Sequence, residues 1–277
     1  VNTTFGSRLR SALDTRGPLC AGIDPHAALL RAWDLPDDVT GLERFALTAV
    51  EALGPRVAVL KPQSAFFERF GSRGIAVLER VIAAGREAGA LVLLDAKRGD
   101  IGSTVQAYAD AYLDPSSPLF ADALTASPYL GFGSLQPLLD TAAKHGCGVF
   151  VLALTSNPEG PEVQAAQGLG GRTVAGVVLD HLAEVNADAR PLGSIGAVVG
   201  ATVGETGEDF ARVNGPLLAP GLGAQGATAD DLRRVFGAAV RNVVPATSRE
   251  LLSAGPSVRA LQDAADRTIE SLSAVLR

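Results

Sequence analysis

Eight short apolar runs punctuate this chain, each separated from the next by a stretch with helical periodicity. The runs are 18–24, 56–62, 91–97, 121–127, 149–156, 195–202, 216–223 and 242–248. Each is strand-sized and nearly continuous in apolar character, the pattern of a strand buried on both faces. The intervening segments, such as 41–53 and 229–240, repeat their apolar residues with a helical period. Strands of this kind alternating with helices imply a parallel sheet covered by helices. Eight such units within 277 residues favour a closed (β/α)8 TIM barrel over an open doubly wound sheet. Residues 1–15 read as an extra N-terminal helix able to close the barrel bottom, and a last helix over 256–276 completes the eighth unit. No linker, repeat or low-complexity segment breaks the pattern, so residues 1–277 are expected to form a single domain.

Composition narrows the partners. The net charge is −6 with 19% charged residues, which gives no electrostatic reason to expect nucleic acid or an anionic membrane. No apolar run reaches the length of a transmembrane helix. The opening stretch "VNTTFGSRLRSALDTRG" is amphipathic and lacks a signal-peptide core, which sets the expectation of a cytoplasmic protein. Cys20 and Cys147 stand far apart without metal-type spacing and read as buried free thiols of a reducing compartment. His26, His145 and His181 are scattered, so neither a histidine metal site nor a triad is expected. "GLGAQG" (221–226) fits the dinucleotide fingerprint, yet only one further strand follows it, where a complete mononucleotide half is needed. No nicotinamide or flavin is expected there.

Charges gather where apolar strands end. Of the 24 basic residues only three are lysines, Lys61, Lys97 and Lys144, and the first two close predicted strands. Lysine can release a proton when its surroundings shift it, whereas arginine cannot, so these positions weigh as chemistry. In "LVLLDAKRGDIGST" (91–104), Asp95 and Lys97 are two apart in a strand and project together, with Cα atoms about 6.6 Å apart. Lys61 ends the second strand and Asp24 the first, while Asp100 lies past the third in the loop that opens the next helix. A structural ion-pair plug would account for one Asp–Lys pair. Four charges at equivalent ends of three consecutive strands go beyond that, because burying each ion costs several kcal/mol unless pairing is excellent. A lysine flanked by carboxylates keeps its proton and suits proton donation to a developing carbanion. A fixed carboxylate repels an anionic substrate group by about 4 kcal/mol at 4 Å and an effective dielectric of 20. Losing CO2 removes that repulsion, so such a site could favour decarboxylation without a cofactor.

At these residues the chain resembles the orotidine 5′-phosphate decarboxylase family. "DAKRGDIGST" (95–104) is similar to its Asp-x-Lys-x-x-Asp-Ile signature. "AGIDP" (21–25), "LKPQSAFFE" (60–68), "ASPYLG" (126–131), "LTSNP" (154–158), "PGLGAQG" (220–226) and "ATSREL" (246–251) resemble its other strand ends, in the style of a longer bacterial subgroup. The resemblance implies conversion of orotidine monophosphate to uridine monophosphate (UMP) and CO2 with no cofactor and no metal. By carry-over, Lys61, Asp95, Lys97 and Asp100 match the catalytic tetrad, with Lys97 as proton donor to C6. Asp95 would hold Lys97 and press on the substrate carboxylate, and Lys61 would bridge Asp95 and the ribose. The resemblance further implies a homodimer in which Asp100, Ile101 and Thr104 serve the neighbouring subunit's site.

The substrate-binding residues follow the same order. Asp24 resembles the ribose-contacting aspartate, although a lone acid at a strand end also reads as a cap or ion pair. Ser156 looks like the pyrimidine-reading serine, with Asn157 beside it; alone, a Ser before Asn-Pro reads as a turn residue. Gln225, Ser248 and Arg249 look like the phosphate grip, in a chain whose 21 arginines otherwise read as surface. A monophosphate dianion suits a guanidinium fork beside backbone N–H groups at a helix start. The long stretch 156–176 and the "SPYLG" segment receive no role. Two other readings stay open. One is a barrel relative that forms a metal-stabilised enediolate on a sugar-acid phosphate, which the ammonium of Lys61 disfavours by repelling the ion. The other is a non-catalytic phosphate-binding barrel.

Overall fold

The computed structural model of the chain describes residues 3–168, 170–223 and 226–276. Its strands are β1 (Cys20–Ile23), β2 (Val59–Pro62), β3 (Leu91–Arg98), β4 (Ala123–Ala126), β5 (Gly148–Leu154), β6 (Ile195–Val199), β7 (Leu217–Pro220) and β8 (Val243–Thr247). All pair in parallel in chain order, and β1 closes on β8 through Cys20–Ala246 and Ala21–Thr247. The fold is the TIM barrel expected from the pattern, and each apolar run supplies one strand.

Because side chains alternate along a strand, the barrel has two apolar compartments. Outward residues such as Leu60, Val92, Leu94, Val151 and Ala197 pack under the surrounding helices. Inward residues, including Val59, Leu93, Ala123, Phe150, Val198, Leu218 and Val244, fill the barrel itself. The helix Phe5–Arg16 closes the lower end by sending Phe5, Leu9 and Leu13 into that interior cluster. Phe5 meets Phe150 edge to face, with ring centroids 6.0 Å apart. Gly148 makes room for the ring, since a Cβ there would lie 2.4 Å from it. Arg8 of the same helix donates to buried Asp122 at 2.6 Å and to the Gly146 carbonyl at 2.9 Å. With the bottom plugged, the carboxyl-end mouth is where strand-end side chains meet solvent.

Several boundaries differ from the sequence expectation, among them the N-terminal helix, expected over 1–15 and found over Phe5–Arg16. The helix expected over 229–240 is α-helical over Ala229–Phe236 and then tightens into a 3-10 turn at Gly237–Asn242. Gly237 adopts a φ of 49°, which an α-helix cannot continue through. The final helix spans Val258–Leu276, after a separate turn at Arg249–Leu252. The stretch 156–176 contains a short helix, Pro161–Gln164, and an antiparallel bridge between Gln167 and Thr173. Among the described residues no helix is long and apolar enough to cross a membrane.

Replacing Phe5 by Ala should leave a cavity beneath Phe150 and cost about 3–5 kcal/mol of stability. Denaturant unfolding would read that loss, and turnover per folded molecule should be unchanged because the mouth lies at the other end.

Candidate active site

The inward parity of Val59, Leu93 and Ala123 continues one layer higher as Lys61, Asp95 and Thr125. Three adjacent strands thus deliver an ammonium, a carboxylate and a hydroxyl to one point. Lys61 and Asp95 are each only 7% exposed, so neither charge is met by bulk water. Lys61 Nζ donates to Asp95 Oδ2 at 2.8 Å, and Lys97 Nζ donates to Oδ1 at 2.6 Å. Thr125 Oγ1 donates to the same Oδ1 at 2.9 Å. Burial alone would raise the pKa of Asp95. Attraction by Lys61 and then Lys97 outweighs it and holds the carboxyl well below the usual carboxylate range. Burial likewise opposes the charge on Lys61, but Asp95 and then Asp24 hold its pKa above the usual lysine range.

β3 does not reach this cluster as a plain pleat. Its register against β4 shifts between Leu94 and Arg98, and Lys97 has a φ of 49°. That left-handed conformation costs a non-glycine residue about 1–3 kcal/mol. The Lys97 N–H donates to Thr125 Oγ1 at 2.9 Å, so one hydroxyl ties the bulged backbone to the Asp95 carboxylate. Lys97 still meets Asp95 as the two-residue spacing predicts, by way of a bulge. Its side chain stays 45% exposed, against 9% for Lys61, and overhangs the adjoining cavity.

Two cavities flank the cluster and share Lys61 and Pro220. The first, about 270 Å³, combines an apolar floor of Leu152, Val198 and Leu218 with Asp95, Lys97 and Ser156. The second, about 210 Å³, is lined by Asp24, His26, Thr247, Ser248 and Arg249. There Asp24 Oδ1, Thr247 Oγ1 and Ser248 Oγ are buried without a hydrogen-bond partner among the described residues. Each such atom costs about 1–3 kcal/mol unless something binds it. The exposed Arg249 guanidinium enters no ion pair among the described residues. A polar ligand that accepts from Arg249 and meets these oxygens fits the second cavity. Burial and then Arg249 lower the pKa of His26 at its rim.

The sequence-predicted residues separate into groups. Lys61, Asp95 and Lys97 meet. Asp24, Ser248 and Arg249 line one cavity, and Ser156 and Asn157 the other. The Asn157 amide faces its own loop, accepting from Thr155 Oγ1 at 2.6 Å and donating to Glu159 at 2.9 Å. Asp100, Ile101 and Thr104 are not brought to this chain's cluster. Asp100 Oδ1 accepts from the Ile101 N–H at 2.8 Å, Ile101 is 62% exposed, and Thr104 faces outward. Gln225 lies outside the described residues. Sequence reasoning missed Thr125, Thr247 and His26. The first could have been read from strand parity, two residues after inward-facing Ala123. Cys20 and Cys147 are buried free thiols whose pKa values burial raises to about 12 and about 11, which leaves them unreactive. Among the described residues no three His, Cys, Asp or Glu side chains form a metal-ligating group.

Residues 17–264 match the sequence profile of the orotidine 5′-phosphate decarboxylase / HUMPS family. The chain belongs to this family. It is 68% identical over 273 residues to the orotidine 5′-phosphate decarboxylase of Salinispora arenicola, covering 99% of this chain and 98% of that protein. It is 70% identical over 251 residues to the enzyme of the same name from a Nocardioides strain, covering 90% and 91%. Among solved structures, Leishmania donovani OMP decarboxylase aligns with a TM-score of 0.77 at 32% identity, covering 99% of each chain. Membership in the orotidine 5′-phosphate decarboxylase / HUMPS family agrees with the resemblance read from the strand ends.

The cluster sets a pH signature. Asp95 has a depressed folded pKa, so its contribution to stability is present above the unfolded carboxylate value of about 3.9 and is lost as pH falls through the folded value. Lys61 has a raised folded pKa, so its contribution is present below about 10.4 and is lost only as pH rises through the folded value. The difference in unfolding free energy between wild type and Asp95→Asn should therefore stay flat from about pH 5 to 9 and shrink below about pH 4. Denaturant titrations across that range would read it.

Proposed function

We propose that this chain decarboxylates orotidine 5′-phosphate to UMP and CO2 without a cofactor, supplying UMP in pyrimidine biosynthesis. The observation that carries the reading is the Asp95 carboxylate held between two ammonium groups beside the larger cavity. The pyrimidine lies over the apolar floor, with Ser156 reading its edge and Asn157 beside it. The ribose passes Lys61 and Asp24, and the phosphate meets Ser248, Arg249 and Gln225. Asp95 and Lys97 then face the substrate carboxylate together. As the C6–carboxylate bond breaks, its electron pair stays on C6 and neutral CO2 leaves, which removes the repulsion with Asp95. Lys97 gives its proton to C6 and regains one from water. Binding energy from the remote phosphate helps to hold the substrate in this unfavourable contact.

The outward position of Asp100, Ile101 and Thr104 supports a homodimer in which they complete the neighbouring subunit's site. The reading also places the protein in the cytoplasm, where buried thiols stay reduced. Against the rival enediolate chemistry stands Lys61, whose ammonium occupies the place a metal-binding acid would need.

Lys97→Ala should abolish turnover of orotidine monophosphate in an ultraviolet assay while UMP still binds by calorimetry; unchanged turnover would overturn the assignment. Wild-type activity should persist in excess chelator, and its loss would favour the enediolate rival. Mixing Asp95→Ala with Asp100→Ala subunits should restore some activity, because each mixed dimer then carries one site with both acids intact. No recovery would count against a shared site.

A further inference from the structure

The stretch after β5, to which no role attached at the level of sequence, carries a polar brace directed at the larger cavity. Its short helix Pro161–Gln164 contributes no buried residue, so core packing does not explain its placement. It reaches back to the strand end through the side chain of Gln164. Gln164 Oε1 accepts from the Thr155 N–H at 2.9 Å, and Gln164 Nε2 donates to Thr155 Oγ1 at 2.7 Å. Thr155 is thus gripped on its main chain and its side chain by one planar amide. Thr155 Oγ1 in turn donates a hydrogen bond to Asn157 Oδ1 at 2.6 Å.

Ser156 lies between these two tethered residues. On its other side Gly200 closes β6, its N–H donating to the Leu154 carbonyl at 2.9 Å. A Cβ on Gly200 would sit 3.2 Å from the Ser156 nitrogen and 3.3 Å from its Cβ, so Ser156 rests directly on that glycine. Gly160 gives the brace its space in the same way. A Cβ there would lie 3.0 Å from Thr155 Oγ1 and 3.1 Å from Gln164 Oε1. Ser156 is therefore fixed by Gly200 beneath it and by the Gln164 grip on its neighbour.

We propose that Gln164 is a positioning residue for base recognition: by clamping Thr155 it sets Ser156 at the wall of the cavity that takes the pyrimidine. This rests on the functional reading above and adds a residue that touches neither substrate nor the reacting atoms. The brace belongs to the base end of the site. The oxygens and guanidinium of the second cavity, just after β1 and at or just after the end of β8, have no part in it.

The test compares two ligands that differ in the base. Calorimetric titrations with UMP and with ribose 5-phosphate would be run on wild type, Gln164→Met and Gly160→Ala. Gln164→Met keeps the length of the side chain and removes both hydrogen bonds. It should weaken UMP on the order of tenfold, as expected for about 1.4 kcal/mol of lost hydrogen bonding. Ribose 5-phosphate affinity should be unchanged, and KM for orotidine monophosphate should rise more than kcat falls. Gly160 has a φ of −49°, so alanine there meets no backbone penalty and should reproduce the selective UMP loss by crowding the clamp. If Gln164→Met does not fold, Thr155→Val removes the hydroxyl half of the grip and should still weaken UMP alone. Unchanged UMP affinity, or parallel weakening of both ligands, would overturn the proposal. Wild type that neither turns over orotidine monophosphate nor binds UMP would instead overturn the functional reading, and this inference with it.

Discussion

A carboxylate withdrawn from water sets the terms for the rest of the mouth. Removing Asp95 from solvent costs several kcal/mol unless both of its oxygens are well partnered. Lys61 takes one oxygen, and Lys97 with Thr125 takes the other. Those partners come from three neighbouring strands, and they converge because the inward side chains at the carboxyl ends of a closed parallel barrel all face one mouth. The apolar layers below keep water out from underneath. The helix Phe5–Arg16 does the same at the far end, so the polar layer sits on a packed support.

Much of this was legible in the chain itself. The eight apolar runs favoured a barrel, and the strand ends placed Lys61 and Asp95 at one mouth. What the chain concealed depends on tertiary context. The bulge at Lys97 arises where β3 meets β4, and no local signal marks a lysine for a positive φ. Thr125 and Thr247 were overlooked because a threonine in a strand is ordinary β-former chemistry until its hydroxyl is seen to be committed or left over. The helical pattern over 229–240 outruns the α-helix because Gly237, which ends it, sits within an apolar repeat. Asp100, Ile101 and Thr104 follow the strand end in sequence yet face away from it, because the loop after β3 turns outward before the next helix begins.

Strands and loops divide the labour. The charges sit on β2 and β3, where neighbouring hydrogen bonds and packing allow little displacement, which suits groups whose field must be aimed. The cavity-lining residues Ser156, Asn157 and Arg249 lie instead on exposed segments after β5 and β8, and around 155–164 local hydrogen bonds replace core packing. The 155–164 segment shows how such a loop can still be definite in shape: a two-point amide grip does what burial does elsewhere.

Lys97 carries a consequence of its own. Its backbone geometry would be easiest for glycine, and then asparagine, yet neither brings an ammonium to Asp95. On the function proposed above, the substitutions that relax the chain would remove the proton donor. Arginine keeps the charge but neither fits an ammonium's place nor surrenders a proton. On that proposed role, opposing demands on one residue leave no other amino acid that meets both: the backbone asks for glycine and the carboxylate asks for an ammonium.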